Sequence, residues 1–424
     1  MRTLISFAAL FLSIFLVQMG SGSLGPLDVL AASARSFTAE EIGLLGSAHF
    51  AGFFIGCYLA PRYVGTIGHS RCFAAAAAVG ATGALLHPVL DGPLYWAGLR
   101  VLTGVAIASA YTVIESWLQA KTQNHNRGRV YGVFRVVDMG GQISAQAMIA
   151  VLDPTSYAAY NIVAVFCCLC LLPMILTRRA APEIPGAPRL RPVRAYRLSP
   201  LAAIGIVVAG ATGASFRMVG PLFGIENGLD AGQLAIFLSM AMIGGILVQY
   251  PIGWLADKFE RRTVLIFISV AAIGCCMWTV QAEGDPWLLY LTAALFGATS
   301  YPIYSVSSAL ANDRAAPGEA LELNASLVFF FSVGAVVSPF VSARLLDTYG
   351  PPALFYFIAG AHLFLIIFAF WRMTRRETVE PVTPYSYTPR TSMVLGRMFG
   401  RSPEPEDPPK SDPDPGADKT RTTP

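Results

Sequence analysis

The sequence predicts an all-α membrane protein: twelve transmembrane helices in two pseudo-symmetric six-helix bundles. Three observations carry this prediction. The first is composition. Of 424 residues, 54% are hydrophobic and 13% charged, with mean hydropathy +0.54, whereas a soluble chain carries about 25% charged residues. The second is length of run. A bilayer-spanning helix needs about 20 apolar residues, and twelve runs approach or exceed that: 4–30, 42–60, 72–90, 94–118, 130–151, 157–177, 199–223, 232–256, 263–281, 286–310, 321–345 and 352–373. The third is an internal repeat. Gly25-Pro26-Leu27 recurs as Gly220-Pro221-Leu222, and Leu59-Ala60 as Leu255-Ala256. Leu102, Gly104 and Tyr111 match Leu295, Gly297 and Tyr304, while Gly140 and Ser144 match Gly334 and Ser338. The offsets stay between 193 and 196. Two similar apolar halves suit a carrier that alternates access around a site between them.

The first run also resembles a signal peptide, with Arg2, an apolar stretch and then Ser21-Gly22-Ser23. The repeat favours a structural helix, because Gly25-Pro26-Leu27 belongs to the shared part. Gly and Pro inside the other runs are tolerated where neighbouring helices satisfy the freed backbone groups.

Charge placement predicts orientation. Of the 30 Lys and Arg, 25 fall on one side of this map, nine of them from Arg372 onward, and only Arg35 and Arg344 on the other. Arg100, Arg135 and Arg217 lie within or near the ends of the runs. Basic residues concentrate in cytoplasmic loops, so both termini are expected to be cytoplasmic, in a multi-pass protein of the cell (inner) membrane. The net charge of +4 is thus a topology signal and implies no nucleic-acid partner. All seven cysteines sit in or beside apolar runs, which implies no disulfide framework. Cys167, Cys168 and Cys170 lack His or carboxylate partners and read as buried thiols rather than a metal site.

The expected organisation is an N-terminal bundle over 1–177, a Pro/Arg-rich cytoplasmic linker over 178–198, a C-terminal bundle over 199–373 and a disordered cytoplasmic tail over 374–424.

Between the eighth and ninth runs lies Gly253-Trp254-Leu255-Ala256-Asp257-Lys258-Phe259-Glu260-Arg261-Arg262. It resembles the loop signature of the major facilitator superfamily, with Glu260 where Gly is usual. The first half carries a degraded copy, Gly56-Cys57-Tyr58-Leu59-Ala60-Pro61-Arg62, in which Pro61 replaces the usual acid. Arg100-Val101-Leu102-Thr103-Gly104 resembles the superfamily's helix 4 arginine motif. The resemblance implies the major facilitator fold and a gate built from Arg62, Arg100, Arg129, Gly253, Asp257, Lys258, Arg261 and Arg262. Asp257 is expected to latch the halves on the inner side, against the start of the fifth helix near Arg129. Ile114-Glu115-Ser116-Trp117-Leu118, Gln249-Tyr250-Pro251-Ile252-Gly253, Tyr301-Pro302 and Ala311-Asn312-Asp313 are similar to the YcaD-like bacterial permeases. That group looks close to riboflavin importers, and the resemblance implies riboflavin as a solute.

Ionisable groups in the bilayer cost about 2.5–3.5 kcal/mol each on insertion scales and mark candidate sites. Arg135, Asp138, Gln142 and Gln146 recur at steps of three and four, so they share one helical face. Arg100, Gly104, Ala108, Tyr111 and Glu115 do the same on the fourth helix. Glu115 and Arg135 lie at similar depth and can pair, either as a site or as a structural tie. Asp138 lies deeper and is expected to face a cavity. The second half offers Arg217, Gln249, Tyr301 and Tyr304, with Pro302 interrupting the tenth helix. Arg217 reads either as a solute residue or as a side chain reaching for the interface. Phe329, Phe330 and Phe331 read as packing, and His49 as a bonded packing residue.

The chain has no Gly-x-x-x-x-Gly-Lys-Ser/Thr, no His-Glu-x-x-His and no nucleophilic triad. The expectation is a non-enzymatic monomer without cofactor, moving a small organic solute, with protons as a coupling ion. Uptake of riboflavin, proton-coupled efflux of drugs or metabolites, and a non-transporting receptor or scaffold stay open. The fifth helix has Gly140-Gly141-Gln142 but no Pro, which disfavours antiport.

Overall fold

The computed structural model describes residues 7–122, 127–175, 190–282, 284–316 and 319–374, with backbone alone at 119–121, 127–129 and 321. The expected tail, beyond residue 374, and most of the expected linker fall outside these residues. The described chain is helical. The first six crossings are α1 (Ala8–Ala34), α2 (Ala39–Ile67), α3 (His69–Leu86), α4 (Pro93–Lys121), α5 (Arg127–Ile149) and α6 (Tyr157–Ile175). The second six are α7 (Pro200–Glu226), α8 (Ala231–Lys258), α9 (Arg261–Gln281), α10 (Pro286–Ser300 and Pro302–Asn312), α11 (Ala320–Tyr349) and α12 (Ala353–Met373). Ten described helices are long and apolar enough to cross a membrane by length and composition alone. The other two crossings are α5, with its polar stripe, and α10, which is broken at Tyr301. Pro302 supplies no N–H there.

Local chemistry repeats between the halves. Thr38 caps α2 through Glu41 in a reciprocal capping box, and Asp230 caps α8 through Gln233 in the same way. Glycine then sets how closely helices approach. A Cβ on Gly52 would lie 2.0 Å from the Val101 carbonyl oxygen, and one on Gly104 2.2 Å from that of His49, so α2 and α4 touch backbone to backbone. The second half repeats this between α8 and α10. There, a Cβ on Gly244 would lie 1.8 Å from the Ala294 carbonyl oxygen, and one on Gly297 1.7 Å from that of Ala241. Small residues permit such seams between membrane helices.

One repeat assignment is corrected. Gly334 of α11 packs on the α7 backbone, 2.1 Å from Val207 O by the same measure. The residue of α5 that packs on α1 is Gly141, 2.8 Å from the Gln18 Cβ, while Gly140 meets nothing within 4 Å. Packing contact shifts the match by one position from the sequence alignment.

The halves meet chiefly where α2 lies along α11. At the predicted outer end, Gly43 fits against Pro339 and Ala343, and Ser47 Oγ accepts from Phe340 N at 3.2 Å. Glu40 and Arg344 pair at 2.7 Å. At the other end Phe54 meets Phe329 edge-on at 5.7 Å, and Cys57, Ala108, Ala325 and Val328 form a small apolar cluster with Leu190 against it. The predicted linker is not featureless, because Pro192–Leu198 forms a short helix. Arg191 and Arg194 tie it to Glu322 and Glu319 at the start of α11.

The candidate solute cavity

A cavity of about 190 Å³ lies between the halves. Its N-terminal wall starts with α1. Residues Gln18–Gly22 form one π-helical turn inside that helix, a feature that often accompanies function. The turn is rich in small residues, and Gly20 lets α6 approach so closely that a Cβ would sit 2.7 Å from Cys167 Sγ. The turn aims Gln18 across to α5. Gln18 Nε2 donates to Asp138 Oδ1 at 2.7 Å and also binds the Tyr111 hydroxyl. Tyr111 OH donates to the same Oδ1 at 2.5 Å, while Arg135 Nη1 donates to Oδ2 at 2.9 Å. Asp138 is 1% exposed. Its charge is offset by Arg135 and dispersed over two further donors, as a buried carboxylate requires.

Arg135, Asp138, Gln142 and Gln146 all line the cavity, as their shared face implies. Gln146 Oε1 is buried there without a hydrogen-bond partner. The C-terminal wall holds Phe216, Arg217, Tyr301 and Phe331. Arg217 therefore turns inward to the cavity and does not reach for the membrane interface. Phe331, expected only to pack, edges both Phe50 and Tyr304.

Three expected site residues fall elsewhere. Glu115 lies four positions beyond Tyr111, a full turn further along α4, and is buried at 1% exposure away from the cavity lining. Tyr304 is 2% exposed beneath Phe331, which takes the wall position instead. Gln249 is half-buried on α8 and does not line the cavity, since the α8 wall is made by Leu238 and Met242, about two turns away.

Three residues were missed or misjudged. Gln18 sits in an apolar run as a single amide. His49 lines the cavity with Nδ1 buried and unbonded, rather than serving as a satisfied packing residue. Asp28 is a lone carboxylate of the first run, and its cost in a bilayer was the signal to flag it. It is 1% exposed and accepts from Tyr160 OH at 3.0 Å, with Arg100 Nε at 3.5 Å and His87 Nε2 at 3.3 Å.

A polar cavity between two matching helical halves is the arrangement of a carrier, and comparison with known proteins agrees. The model of the Major Facilitator Superfamily matches residues 10–227 and 202–403. The chain belongs to this superfamily. An uncharacterized MFS-type transporter, Ent638_1421, of Enterobacter sp. (strain 638) is 25% identical over 381 residues, covering 89% of this chain and 97% of the relative. The uncharacterized MFS-type transporter YcaD of Salmonella arizonae is 25% identical over 367 residues, covering 84% and 93%. Among solved structures, the nucleoside transporter NupG superposes with TM-score 0.70 at 17% identity, covering 88% of this chain and 99% of that one. A D-xylose-proton symporter gives 0.65 at 14% identity, covering 90% and 98%. These structures share the fold. The chain is a membrane transporter of this superfamily and not an enzyme.

In this major facilitator the expected gate residues divide. Arg100 is buried at 2% exposure beside Asp28, with its Nη2 3.9 Å from the Met218 Sδ of α7, in the other half. Arg62 stacks on Tyr58 at 3.8 Å and Lys258 on Trp254 at 4.8 Å, each on its own helix. Asp257 meets Arg261 at 3.3 Å, and Arg261 also binds Asp313 at 3.1 Å, tying α8, α9 and α10 together. Arg262 pairs with Glu260 at 3.4 Å, and Gly253 is buried in α8. The side chain of Arg129, the expected partner of Asp257, lies outside the described residues.

Proposed function

We propose that this major facilitator takes up a small, ring-containing organic solute, with residues 1–177 rocking against 199–373 around the cavity. The observation that carries the reading is the cavity itself: both halves line it, one with Asp138, Arg135 and amides, the other with Arg217 and aromatic rings. Rings hold flat solutes while a few polar groups orient them. Riboflavin is the sharper form of the reading. Its ring carbonyls suit the guanidinium and amide donors, and its ring suits Phe50, Phe216 and Phe331. At about 190 Å³ the cavity is below the roughly 300 Å³ at which drug-sized sites begin. A three-ring solute therefore requires the halves to part further than they do here.

The proposed coupling ion is the proton, and the proposed setting is the inner membrane with both termini in the cytoplasm. His87 supports proton coupling. Its Nδ1 faces the Gly83 carbonyl at 2.6 Å and so donates, while Nε2 faces Asp28 at 3.3 Å. An imidazole edge thus lies beside a buried carboxylate, with Arg100 and Tyr160 as the other polar groups on Asp28.

Proteoliposomes loaded with and without a pH gradient test the reading. Accumulation of labelled riboflavin, enhanced by inward-directed protons, is expected. Outward transport against the same gradient would instead identify proton-coupled efflux.

A second expected result concerns the rocking. Cysteines replacing Glu40 and Arg344, bridged by a reducible thiol cross-linker, should stop uptake, and reductant should restore it. The parent protein treated alike controls for its native cysteines. Uptake that persists in the cross-linked protein rules rocking out. The ion pair itself is exposed and contributes under about 1 kcal/mol, so its loss alone leaves the fold intact.

A further inference from the structure

We infer that among ring-containing solutes this cavity prefers those that carry an anionic group, and that Arg217 is the residue that reads it. The inference rests on the cavity being the solute site. Arg217 lies nine residues before the end of α7 at Glu226, about 14 Å along the axis at 1.5 Å per residue. That is close to half the thickness of a 30 Å hydrocarbon core. The side chain is exposed into the cavity. Among the described residues it makes no hydrogen bond and no ion pair.

The other formal charges on the cavity wall cancel. Arg135 and Asp138 meet at 2.9 Å, and the remaining oxygen of Asp138 is taken by Gln18 and Tyr111. Arg217 thus leaves the wall with one uncompensated positive charge. A cation at that depth is costly unless partnered. A neutral solute leaves it so, whereas a carboxylate meets a guanidinium with two parallel charge-assisted hydrogen bonds.

Two further groups narrow the class. His49 and Gln146 both line the cavity and are more than nine-tenths buried, and among the described residues neither His49 Nδ1 nor Gln146 Oε1 has a hydrogen-bond partner. The amide oxygen accepts only, so it calls for a ring N–H or a hydroxyl on the solute. Phe216 and Phe331 supply flat walls on the side of Arg217. The chemistry that completes the site is a one- or two-ring heteroaromatic carboxylate with a donor on its ring. Uncharged riboflavin engages Arg217 through carbonyls alone and ranks below such an anion.

The test uses the full chain in lipid nanodiscs for binding and in proteoliposomes for uptake. The probes are two matched pairs that differ at one carboxylate: orotate with uracil, and nicotinate with nicotinamide. Thermal stabilisation is titrated for the parent, Arg217→Gln and Arg217→Lys. Among the described residues Arg217 has no hydrogen-bond or ion-pair partner to lose, so both variants should fold. We expect the anion of each pair to half-saturate at a concentration about tenfold lower than its neutral partner. Arg217→Gln should abolish that preference and Arg217→Lys retain part of it. Equal titrations within each pair, a preference that survives Arg217→Gln, or no response to any probe would each overturn the inference. Uptake separates the two readings. Anion binding through Arg217 without accumulation of any solute defeats the transport reading alone. Accumulation of neutral and anionic probes alike defeats the anion inference alone.

Discussion

Asp138→Asn is expected to cut solute uptake by about 100-fold, the largest loss from any single change in the cavity. The carboxylate accepts from Gln18, Tyr111 and Arg135 at once. Removing one partner of a buried ion pair costs roughly 3–5 kcal/mol, because the other charge stays behind unpaired. At 1.4 kcal/mol per decade, the lower figure is about 100-fold. The double change Asp138→Asn with Arg135→Gln discriminates between explanations. It removes both charges, so thermal stability should recover toward the parent while uptake stays low. If Asp138→Asn transports normally, or if the double variant restores uptake along with stability, the residue is only a structural tie.

Gly297→Ala is expected to remove most of the folded protein. The added methyl would sit 1.7 Å from the Ala241 carbonyl oxygen, and the obstacle is backbone, which cannot swing aside as a side chain does. Helices α8 and α10 would have to separate, exceeding the 1–3 kcal/mol usual for an overpacked core. Gly274→Ala supplies the contrast. That glycine lies inside α9 with nothing within 4 Å of a Cβ, and Ala favours a helix over Gly by about 1 kcal/mol. Size-exclusion profiles of the two variants in detergent should therefore diverge, with Gly274→Ala eluting as the parent does. Equal monodisperse yields of both would show that the α8–α10 seam is not close-packed.

The fold was legible because its signals are long and periodic. Apolar runs set the crossings, and the repeat joined them into halves. The α5 stripe was legible for the same reason: Arg135, Asp138, Gln142 and Gln146 recur at helical steps, and one face of a helix must find a polar neighbour. Isolated polar residues carry no period. Gln18, Asp28 and His49 each stand alone in apolar surroundings, and only the partners brought by other helices show what they do. Tyr301 and Tyr304 show a different limit. Both flank Pro302, but which ring meets the cavity depends on the Phe331 side chain packed between Tyr304 and the space. Arg100 shows a third: a motif names a residue without naming its partners, here Asp28 in its own half and Met218 in the other.

The π-helical turn at Gln18–Gly22 sets the phase of α1. An α-helix advances 100° per residue, from 3.6 residues per turn, so one residue accommodated in a wider turn rotates everything after it by about that angle relative to everything before. Ser13, ahead of the turn, bonds the Cys170 carbonyl of α6, whereas Asp28, behind it, is aimed at Arg100 and His87. A strictly regular helix through the same end points would swing one of those two contacts off its partner. The wider turn lets a single rod serve two differently oriented sets of neighbours, and Gln18 stands where the change of angle begins.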